Sequence, residues 1–306
     1  MTNKKIVFMG TPSYATEILI KLYEENYDIV ALYTQPDKKV GRKQLLTPPH
    51  IKKYCIDEGL SLPINQPENL KSNLISNDIK NYNPDFIIVA AYGQILPKSI
   101  LDIAPCINLH ASLLPKYRGA SPIQQSILNN DNFTGVTSML MEEGLDSGDV
   151  LGLKYVNITK DMDIEQLFTK LSIIAGDLII ETLNNFNKIN PKKQDISQVS
   201  FCGKISKDDG LIKFNNANKI YQKFKAYKYW PGLFLNSQLK IKDCSINEIN
   251  TSNIQGEILS INNESITVGC TKGSVVIKTV QPASKKQMNV LDYIRGKRLD
   301  IGNILS

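Results

Sequence analysis

Residues that could carry out chemistry are concentrated in one stretch of the chain, residues 105–124. The stretch opens with five residues of strand-like character, Cys106–His110, and alternation along a strand places Asn108 and His110 on the same face. An amide and an imidazole then stand side by side where the strand ends. A loop with two leucines and a proline follows, and two cations come after it. This grouping predicts a reaction site.

Acyl transfer is the chemistry that these residue types fit once Asp146 is included. Asp146 lies in a glycine-punctuated acidic loop, Glu142–Asp149, that follows a strand-like segment. Asparagine and histidine can donate hydrogen bonds to an oxyanion, and a carboxylate can fix the tautomer of an imidazole. The chain has only two histidines, but a lone histidine is more often structural than catalytic. Both interpretations of His110 therefore stay open at this point.

The nucleophile of such a reaction is not expected to come from the protein. The chain has no GxSxG elbow, and the nearby Ser112 is of a type that commonly turns a loop. The attacking group would then belong to the acceptor substrate itself.

Several other reaction classes lack their sequence signatures. Gly10 is followed by Thr-Pro-Ser-Tyr-Ala rather than by a GxGxxG pattern, and no GxxxxGK[ST], HExxH or zinc-type Cys/His spacing occurs. The acids of the Glu142–Asp149 loop do not follow the DxDxDG order of a calcium loop. No metal is expected.

The first two thirds of the chain alternate between strand-like and helical patterns. Strands are predicted over 4–10, 29–34, 85–92, 106–110, 134–141 and 150–156, and a long amphipathic helix is predicted over 164–187. Such alternation predicts an α/β fold with a doubly wound, mostly parallel, Rossmann-like sheet. Gly10, Tyr92 and His110 stand at the carboxyl ends of strands, where these sheets bind ligands.

The last hundred residues change character. A helix is predicted over 217–228, and short alternating segments separated by Asn- and Gly-rich turns follow it. They predict a small OB-like β-barrel. The resulting domain boundaries are a catalytic domain over 1–189, a linker over 190–206 and a basic domain over 207–306.

Positive charge is concentrated in two places. Residues 206–306 hold thirteen Lys and two Arg against five Asp and three Glu, whereas the rest of the chain is nearly neutral. A long polar loop, 35–49, also carries Lys38, Lys39, Arg42 and Lys43, and is expected to be mobile. A basic domain on a neutral one suggests a nucleic-acid partner, and the loop could be a phosphate-contacting arm. A lysine-rich solvated surface and a disordered insertion are the alternatives.

The location expected for this chain is the cytoplasm. No run of eighteen apolar residues suggests a membrane span, and the first residues do not resemble a signal peptide. Five scattered cysteines, an odd number, favour reduced thiols.

An ordered set of motifs resembles the folate-dependent formyltransferases. The set consists of Asn108-Leu109-His110, Ser112–Pro115, Arg118-Gly119-Ala120 and the later Gly144–Asp149. A second set narrows the resemblance to the members that formylate methionyl initiator tRNA: Phe8–Pro12, Thr34–Asp37, Gly41-Arg42, Trp230–Gly232 and a basic C-terminal barrel. The resemblance covers essentially the whole chain.

The resemblance implies a reaction and a role for each motif. The formyl group of 10-formyltetrahydrofolate would pass to the α-amino group of methionine on initiator tRNA, by direct attack of the amine on the formyl carbon. Asn108 and His110 would stabilise the oxyanion, while Asp146 would orient His110 and take or relay a proton. The folate would lie between Ser112, Leu113, Leu114 and Pro115 on one side and Tyr92, Gly93, Gln94, Ile95 and Leu96 on the other. The tRNA would contact Arg42, Lys38, Lys39, Lys43, Lys207, Lys240 and Lys286.

The enzyme is expected to work as a monomer in translation initiation, with no metal and no membrane partner. Two other functions remain open at this stage. One is formyl transfer to a sugar nucleotide or a small amine, against which the basic domain argues. The other is a non-catalytic RNA-binding module, which would have no chemical reason to keep Asn108, His110 and Asp146.

Overall fold

The computed structural model describes residues 4–41 and 43–306 of the chain. The described residues form two compact units. The first takes in residues up to Pro122, Phe133–Ile158 and Glu165–Gly203, and the second takes in Ile123–Asn132, Thr159–Ile164 and Lys204–Ser306. The predicted boundaries at 189 and 206 remain predictions, and residues 190–203 make their contacts within the first unit.

A seven-stranded sheet forms the centre of the first unit within the described residues. Its strands are β1 (Lys5–Gly10), β2 (Asp28–Tyr33), β5 (Ile64–Asn65), β6 (Phe86–Ala90), β7 (Cys106–His110), β9 (Phe133–Leu140) and β10 (Val150–Asn157). Their spatial order is β10-β9-β7-β6-β1-β2-β5. Strands β5, β2, β1, β6 and β7 run parallel, and β9 and β10 are antiparallel to their neighbours.

The sequence of each strand matches its place in this sheet. Strands β6 and β7 are buried at every position, as central strands covered on both faces must be. The edge strand β10 instead alternates between more and less exposed residues. Gly10 ends β1 without a side chain because a Cβ there would lie 2.4 Å from the Cβ of Ala15. This close approach lets the first helix begin directly after the strand.

Helices cover the sheet of the first unit. They are α1 (Ser13–Glu24), α2 (His50–Asp57), α3 (Asn73–Asn81), α4 (Lys98–Leu101) and α6 (Ile164–Asn185), whereas most of α5 (Pro122–Leu128) falls in the second unit. Helix α1 buries Ile18, Leu19 and Leu22, and α6 buries Leu167, Leu171 and Leu178. These residues recur at helical spacing, so one apolar face of each helix is removed from water.

Two small strand pairs were not expected from the sequence. Strands β3 (Lys38–Val40) and β4 (Leu45–Thr47) form an antiparallel hairpin where a polar loop was predicted. Strand β8 (Arg118–Gly119) pairs in parallel with β11 (Phe201–Cys202), which joins the predicted linker to the stretch 105–124. Both pairs are too short for any periodicity in the sequence to signal them.

Residues 204–306 give the second unit an antiparallel sheet and two helices, in addition to the part of α5 that belongs to it. Its strands, all within residues 204–306, are β12 (Leu233–Phe234), β13 (Lys240–Glu248), β14 (Ile258–Ile261), β15 (Ile266–Gly269), β16 (Ser274–Gln281) and β17 (Met288–Asn289). The order is β12-β13-β16-β15-β14, with β17 on β16. Helices α7 (Ala217–Ala226) and α8 (Val290–Lys297) contribute Ile220 and Ile294 to the same apolar core as the sheet.

The fold class expected from the sequence is confirmed: a mostly parallel α/β sheet is followed by an antiparallel β domain. Most strand ends of the first unit lie within one or two residues of their predicted positions. Along the described residues, no helix combines the length and the apolar character needed to cross a membrane.

Candidate active site

Asn108 and His110 lie on the central strand β7 with their side chains almost fully enclosed. Their exposed fractions are 9% and 6%, which are low for polar residues. In the register of the sheet Asn108 stands between Val89 of β6 and Met139 of β9, and His110 stands opposite Thr137. A rigid strand therefore fixes the separation and direction of both side chains.

Asp146 contacts both of these side chains. Its Oδ1 accepts a hydrogen bond from Asn108 Nδ2 at 3.3 Å, and its Oδ2 lies 3.7 Å from His110 Nδ1. The same Oδ2 accepts a stronger hydrogen bond, 2.8 Å long, from the backbone N–H of Gly119. The structure thus brings together the three residues that the sequence grouped.

The path by which Asp146 reaches the site differs from a simple strand end. Strand β9 runs antiparallel to β7, so Leu140 at its end lies opposite Ile107, near the start of β7. The loop that follows must fold back along β7 to bring Asp146 beside Asn108. At Asp146 the backbone has φ of +47°, an uncommon value for a residue other than glycine.

The tautomer of His110 follows from its other neighbour. Its Nε2 lies 2.9 Å from the backbone carbonyl of Tyr117. A carbonyl oxygen can only accept, so Nε2 carries a proton and Nδ1 is the nitrogen that faces Asp146. The Nδ1 to Oδ2 distance of 3.7 Å is an ion-pair distance but too long for a hydrogen bond. The Tyr117 carbonyl therefore orients the ring more directly than Asp146 does.

Cys202 shares this carbonyl with His110. Its Sγ lies 3.3 Å from the Tyr117 oxygen, and the residue is buried. Burial raises the pKa of the Cys202 thiol, and the negative charge of Asp146 acts in the same direction. The thiol stays neutral and acts as a weak donor behind the imidazole. Nothing in the sequence pattern singled out this cysteine.

The loop from Ser112 to Pro115 is held by buried hydrogen bonds. Thr137 Oγ1 donates to the Ser112 carbonyl at 2.6 Å and accepts from the Leu114 N–H at 3.0 Å. The Ser112 hydroxyl donates to the carbonyl of Lys116, so it turns the loop as expected from the sequence. Leu114 is buried, while Leu113 and Pro115 are partly exposed. Leu113 and Pro115 are therefore the side chains of this loop that a ligand can reach.

The second predicted wall, residues 92–96, divides into core and surface. Tyr92 and Leu96 belong to the apolar core cluster of the first unit, and burial raises the pKa of Tyr92 to about 12. Ile95 is instead 81% exposed, and Gly93 is exposed with φ of +84°. The Gln94 side chain donates to the carbonyl of Pro67. Ile95 and the backbone around Gly93 are thus the accessible parts of this segment.

The strand ends predicted to converge do lie close together. Gly10 pairs with Ala90, and the Thr11 hydroxyl donates to the Tyr92 carbonyl at 3.1 Å. The Tyr14 hydroxyl donates to the carbonyl of Leu109 at 3.2 Å. These contacts link the ends of β1, β6 and β7 at one edge of the sheet.

The predicted RNA-contacting cations lie in both units. Lys38, Lys39 and Lys43 are exposed on or beside the β3–β4 hairpin, and Arg42 lies outside the described residues. In the second unit Lys207, Lys240 and Lys286 are also exposed.

The second-unit lysines are connected through the sheet register. Lys207 Nζ lies 5.9 Å from the centre of the Phe234 ring, and Phe234 stands opposite Lys240. Lys240 in turn stands opposite Gln281, next to the turn that carries Lys286. Lys207 and Lys240 therefore both lie beside Phe234, and Lys286 lies in the turn after the strand that faces Lys240.

Sequence reasoning missed one polar network behind the site. The side-chain amide of Gln194 donates to the carbonyls of Asp146 and Gly148, and its oxygen accepts two hydrogen bonds from Arg118. Gln194 lies in a polar segment with no motif, so no signal could have found it. Among the residues that the structure describes, no group of three or more His, Cys, Asp or Glu is arranged to hold a metal ion.

Comparison with known protein families assigns this architecture to a class. A model of the formyl transferase family matches residues 4–183, and a model of the formyl transferase C-terminal domain matches residues 204–298. The chain therefore belongs to the formyltransferase family, a class of one-carbon group transferases.

Full-length relatives within the family carry a more particular name. Methionyl-tRNA formyltransferase from Nitratiruptor sp. is 51% identical over 299 residues, which cover 98% of this chain and 99% of the relative. The methionyl-tRNA formyltransferase of Campylobacter lari is 52% identical over 302 residues, or 99% of each chain. At this level of identity over the whole length, both units are shared with these enzymes.

Solved structures share the fold at much lower identity. The sugar 3N-formyl transferase WlaRD, crystallised with dTDP and 5-N-formyl-THF, has a TM-score of 0.66 and 18% identity, covering 94% of this chain and 100% of its own. HypX from Aquifex aeolicus in complex with tetrahydrofolic acid has a TM-score of 0.64 and 14% identity, and this chain spans 47% of its length.

Proposed function

We propose that this enzyme transfers the formyl group of 10-formyltetrahydrofolate to the α-amino group of methionyl initiator tRNA. The observation that carries the proposal is the identity of about half of all residues, over the whole length, to enzymes named methionyl-tRNA formyltransferase. The contact of Asn108 and His110 with Asp146 supports the same chemistry from the side of the geometry. The proposal places the enzyme in the cytoplasm, as a monomer, at the start of protein synthesis.

Asn108 and His110 are proposed to stabilise the charge that develops on the formyl oxygen. The Asn108 amide has two N–H donors, and its bond to Asp146 uses one of them. The other remains for the oxyanion. His110 keeps its Nε2 proton on the Tyr117 carbonyl, so a donor toward the oxyanion requires a proton on Nδ1 as well. Oδ2 of Asp146, 3.7 Å from Nδ1, would lie beside the positive charge of a ring that carries both protons.

Asp146 is proposed to manage the proton of the attacking amine. When the neutral amine forms its bond to the formyl carbon, the carbonyl electron pair moves to oxygen and the nitrogen becomes positively charged. The Asp146 carboxylate takes that proton, directly or through a water molecule. The oxygen electron pair then re-forms the carbonyl as the bond to the folate nitrogen breaks, and the proton held by Asp146 passes to that nitrogen. The products are formyl-methionyl-tRNA and tetrahydrofolate.

The folate is proposed to lie between Leu113, Pro115 and Ile95. These are the apolar side chains of the two predicted walls that are not enclosed in the core. A flat pterin ring suits apolar walls, and the exposed backbone at Gly93 can supply hydrogen bonds. Tyr92, Leu96 and Leu114 would shape the pocket from behind, and Ser112 and Gln94 would hold its backbone.

The tRNA is proposed to contact the hairpin and the basic unit. Lys38, Lys39 and Lys43, with Arg42, would meet the acceptor end, while Lys207, Lys240 and Lys286 would hold phosphates. Lysines contact phosphate as point charges, so such binding depends on salt rather than on base sequence.

Formyl transfer to a sugar nucleotide is the second candidate. The observation in its favour is the fold shared with WlaRD over nearly the whole chain. The higher identity to tRNA-directed relatives and the basic surface of the second unit argue against it.

The deciding experiment compares two acceptors with one donor. Purified enzyme is given 10-formyltetrahydrofolate and either methionyl initiator tRNA or a dTDP-linked amino sugar. We expect rapid formylation of the tRNA and none of the sugar. Preferential formylation of the amino sugar would overturn the proposal in favour of the second candidate.

A further inference from the structure

Gln194 stands apart from the polar segment that contains it. Between Asn190 and Gln198, Gln194 is partly buried, whereas all the remaining residues are exposed. Backbone hydrogen bonds connect the chain to the rest of the first unit before and after Gln194. Lys192 pairs with Val150, and the Ser200 carbonyl accepts from the Arg118 N–H. The contacts of Gln194 are therefore those of an internal structural residue.

The side-chain amide of Gln194 forms hydrogen bonds with three residues through its nitrogen and its oxygen. Nε2 donates to the carbonyls of Asp146, at 2.9 Å, and Gly148, at 2.8 Å. Oε1 accepts from Arg118 Nε at 3.0 Å and Nη2 at 2.7 Å. An amide has two N–H donors, so both are committed to the Asp146 loop. The planar guanidinium fork holds the acceptor end with charge-assisted bonds.

The Asp146 loop needs such support. Residues 142–145, just before Asp146, are all exposed, and φ of +47° at Asp146 is unfavourable for a residue with a side chain. The carboxylate accepts hydrogen bonds from Gly119 and Asn108. These bonds can form only if the backbone of Asp146 places the carboxylate within reach of both donors. The two bonds from Gln194 fix the backbone carbonyls on both sides of Ser147.

We propose that Gln194 is a positioning residue for Asp146, held in place by Arg118. The inference rests on the role proposed above for Asp146. Gln194 touches no reacting atom in this scheme, and it acts by keeping the carboxylate in line with Asn108 and His110. Its loss should therefore lower kcat and leave the KM values for folate and tRNA nearly unchanged.

The test uses Gln194→Glu and a matched control. A glutamate can still accept from Arg118 but, when ionised, has no proton for the two carbonyls, so it separates the loop contact from the Arg118 contact. We expect kcat to fall about 10- to 100-fold, in line with small displacements of a catalytic group. Gln198→Ala removes a glutamine of the same segment whose side chain donates to Asp195 and not to the Asp146 loop within the described residues, and it should be neutral.

Combining the Gln194 substitution with a substitution of Asp146 distinguishes a positioning role from a general loss of structure. In an Asp146→Ala enzyme, whose residual rate is measured by single turnover, adding Gln194→Glu should change the rate less than twofold, since the group it positions is gone. A full additional loss in that background would overturn the inference. So would an unchanged kcat in the single variant, or an effect confined to KM for tRNA.

A readout without catalysis separates this inference from the proposed function. The Gly119 amide hydrogen, bonded to the Asp146 carboxylate, should exchange with deuterium more than tenfold faster in Gln194→Glu than in wild type or Gln198→Ala. If the glutamate variant does not fold, Gln194→Met, which has a side chain of similar size, replaces it in this experiment. The methionine variant should show the same faster exchange at Gly119. Unchanged exchange in a folded variant would contradict the inference even if the enzyme proved to use another acceptor.

Discussion

The ring of His110 is fixed by a backbone carbonyl rather than by a carboxylate. Because Nε2 donates to Tyr117, the chemistry of the residue is confined to Nδ1, on the side of Asp146. This arrangement separates two tasks: the carbonyl holds the orientation, and the carboxylate supplies a negative charge. A histidine used only in packing would not need such a charged neighbour in a buried position.

Replacing His110 by alanine should reduce kcat by about two to three orders of magnitude, the usual cost of losing an oxyanion donor. The measurement is the initial rate of formyl transfer with both substrates saturating. His50→Ala is the natural control, because the second histidine is bonded to Thr16 and lies outside the proposed site. Near-normal turnover of the His110 variant would remove this residue from the mechanism.

At the scale of elements, the site depends on how loops return to strand β7. The Glu142–Asp149 loop begins near the start of β7, whereas His110 stands at its other end, so the loop must fold back along the strand. Gly148 makes that path possible. A Cβ at Gly148 would lie 1.7 Å from the carbonyl oxygen of Leu140, so no side chain fits there. The backbone itself, and not a flexible side chain, blocks the space.

Gly148→Ala should therefore displace the loop and lower kcat by about 10- to 100-fold. Thermal unfolding should show a lower Tm, because the backbone must shift to relieve the overlap. Gly296→Ala is the matched control, since a Cβ in that helical position meets nothing within 4 Å and alanine favours helix. If both variants retain the full rate and Tm, the close approach of Gly148 to the Leu140 carbonyl does not matter for function.

The elements were largely predictable from the sequence, while the contacts between them were not. Buried strands such as β6 are continuous apolar runs, and α6 has a clear helical period, so each is visible locally. Helix α8 and the β3–β4 hairpin are short and partly polar, so their patterns are weak. The bonds of Gln194 join residues 46 to 76 positions apart, and no local pattern encodes such pairs.

For the candidate site the same division holds. Asn108, His110 and Asp146 could be grouped from the sequence because of their types and their places in a strand and a loop, and the structure brings them together. The tautomer-setting carbonyl of Tyr117 is a backbone atom, which has no residue-type signal. The burial of Tyr92 and Leu96 depends on packing against other elements, so the sequence could not separate them from the exposed Ile95.

At the scale of the whole molecule, the basic unit should make tRNA use depend on salt. The triple variant Lys207→Ala, Lys240→Ala and Lys286→Ala should raise KM for tRNA about tenfold or more and leave KM for folate unchanged. The slope of log KM against log salt should fall by about two to three, roughly one for each lost phosphate contact.

A matched set of lysines tests whether position matters. Lys219, Lys272 and Lys297 are also exposed on the same unit, and none of them belongs to the strand pairs that link Phe234, Lys240 and Gln281. Their triple alanine variant carries the same net charge as the first. Equal effects of the two sets would show that total charge, and not the proposed surface, governs binding.

The five cysteines give the folded chain a shared response to alkali. All are free and buried, and burial raises the pKa of Cys55 to about 11 and of Cys106 and Cys244 to about 12. Above the ordinary thiol pKa of 9.0, unfolded thiols ionise while folded ones keep their protons. The unfolded state then binds fewer protons, so the free energy of unfolding must fall as pH rises.

Urea unfolding at pH 7.5 and at pH 9.5 should show this decrease. Replacing Cys55 by alanine should reduce the difference in the free energy of unfolding between the two pH values, because one thiol no longer contributes.

The native enzyme at pH 8 should react slowly with a thiol reagent, and all five thiols should react in urea. Rapid labelling of the native form would contradict the burial on which the pH effect depends.

The pairing of β8 with β11 has a consequence for the order in which a growing chain acquires its parts. Asp146 leaves the ribosome 48 residues ahead of Gln194, and Arg118 leaves 76 residues ahead of it. During that interval the seven-strand sheet can form, but the Asp146 loop lacks its brace. Completion of the site therefore waits for residues 194–203, and a nascent chain halted at residue 189 would carry every proposed catalytic side chain without the support that aligns them.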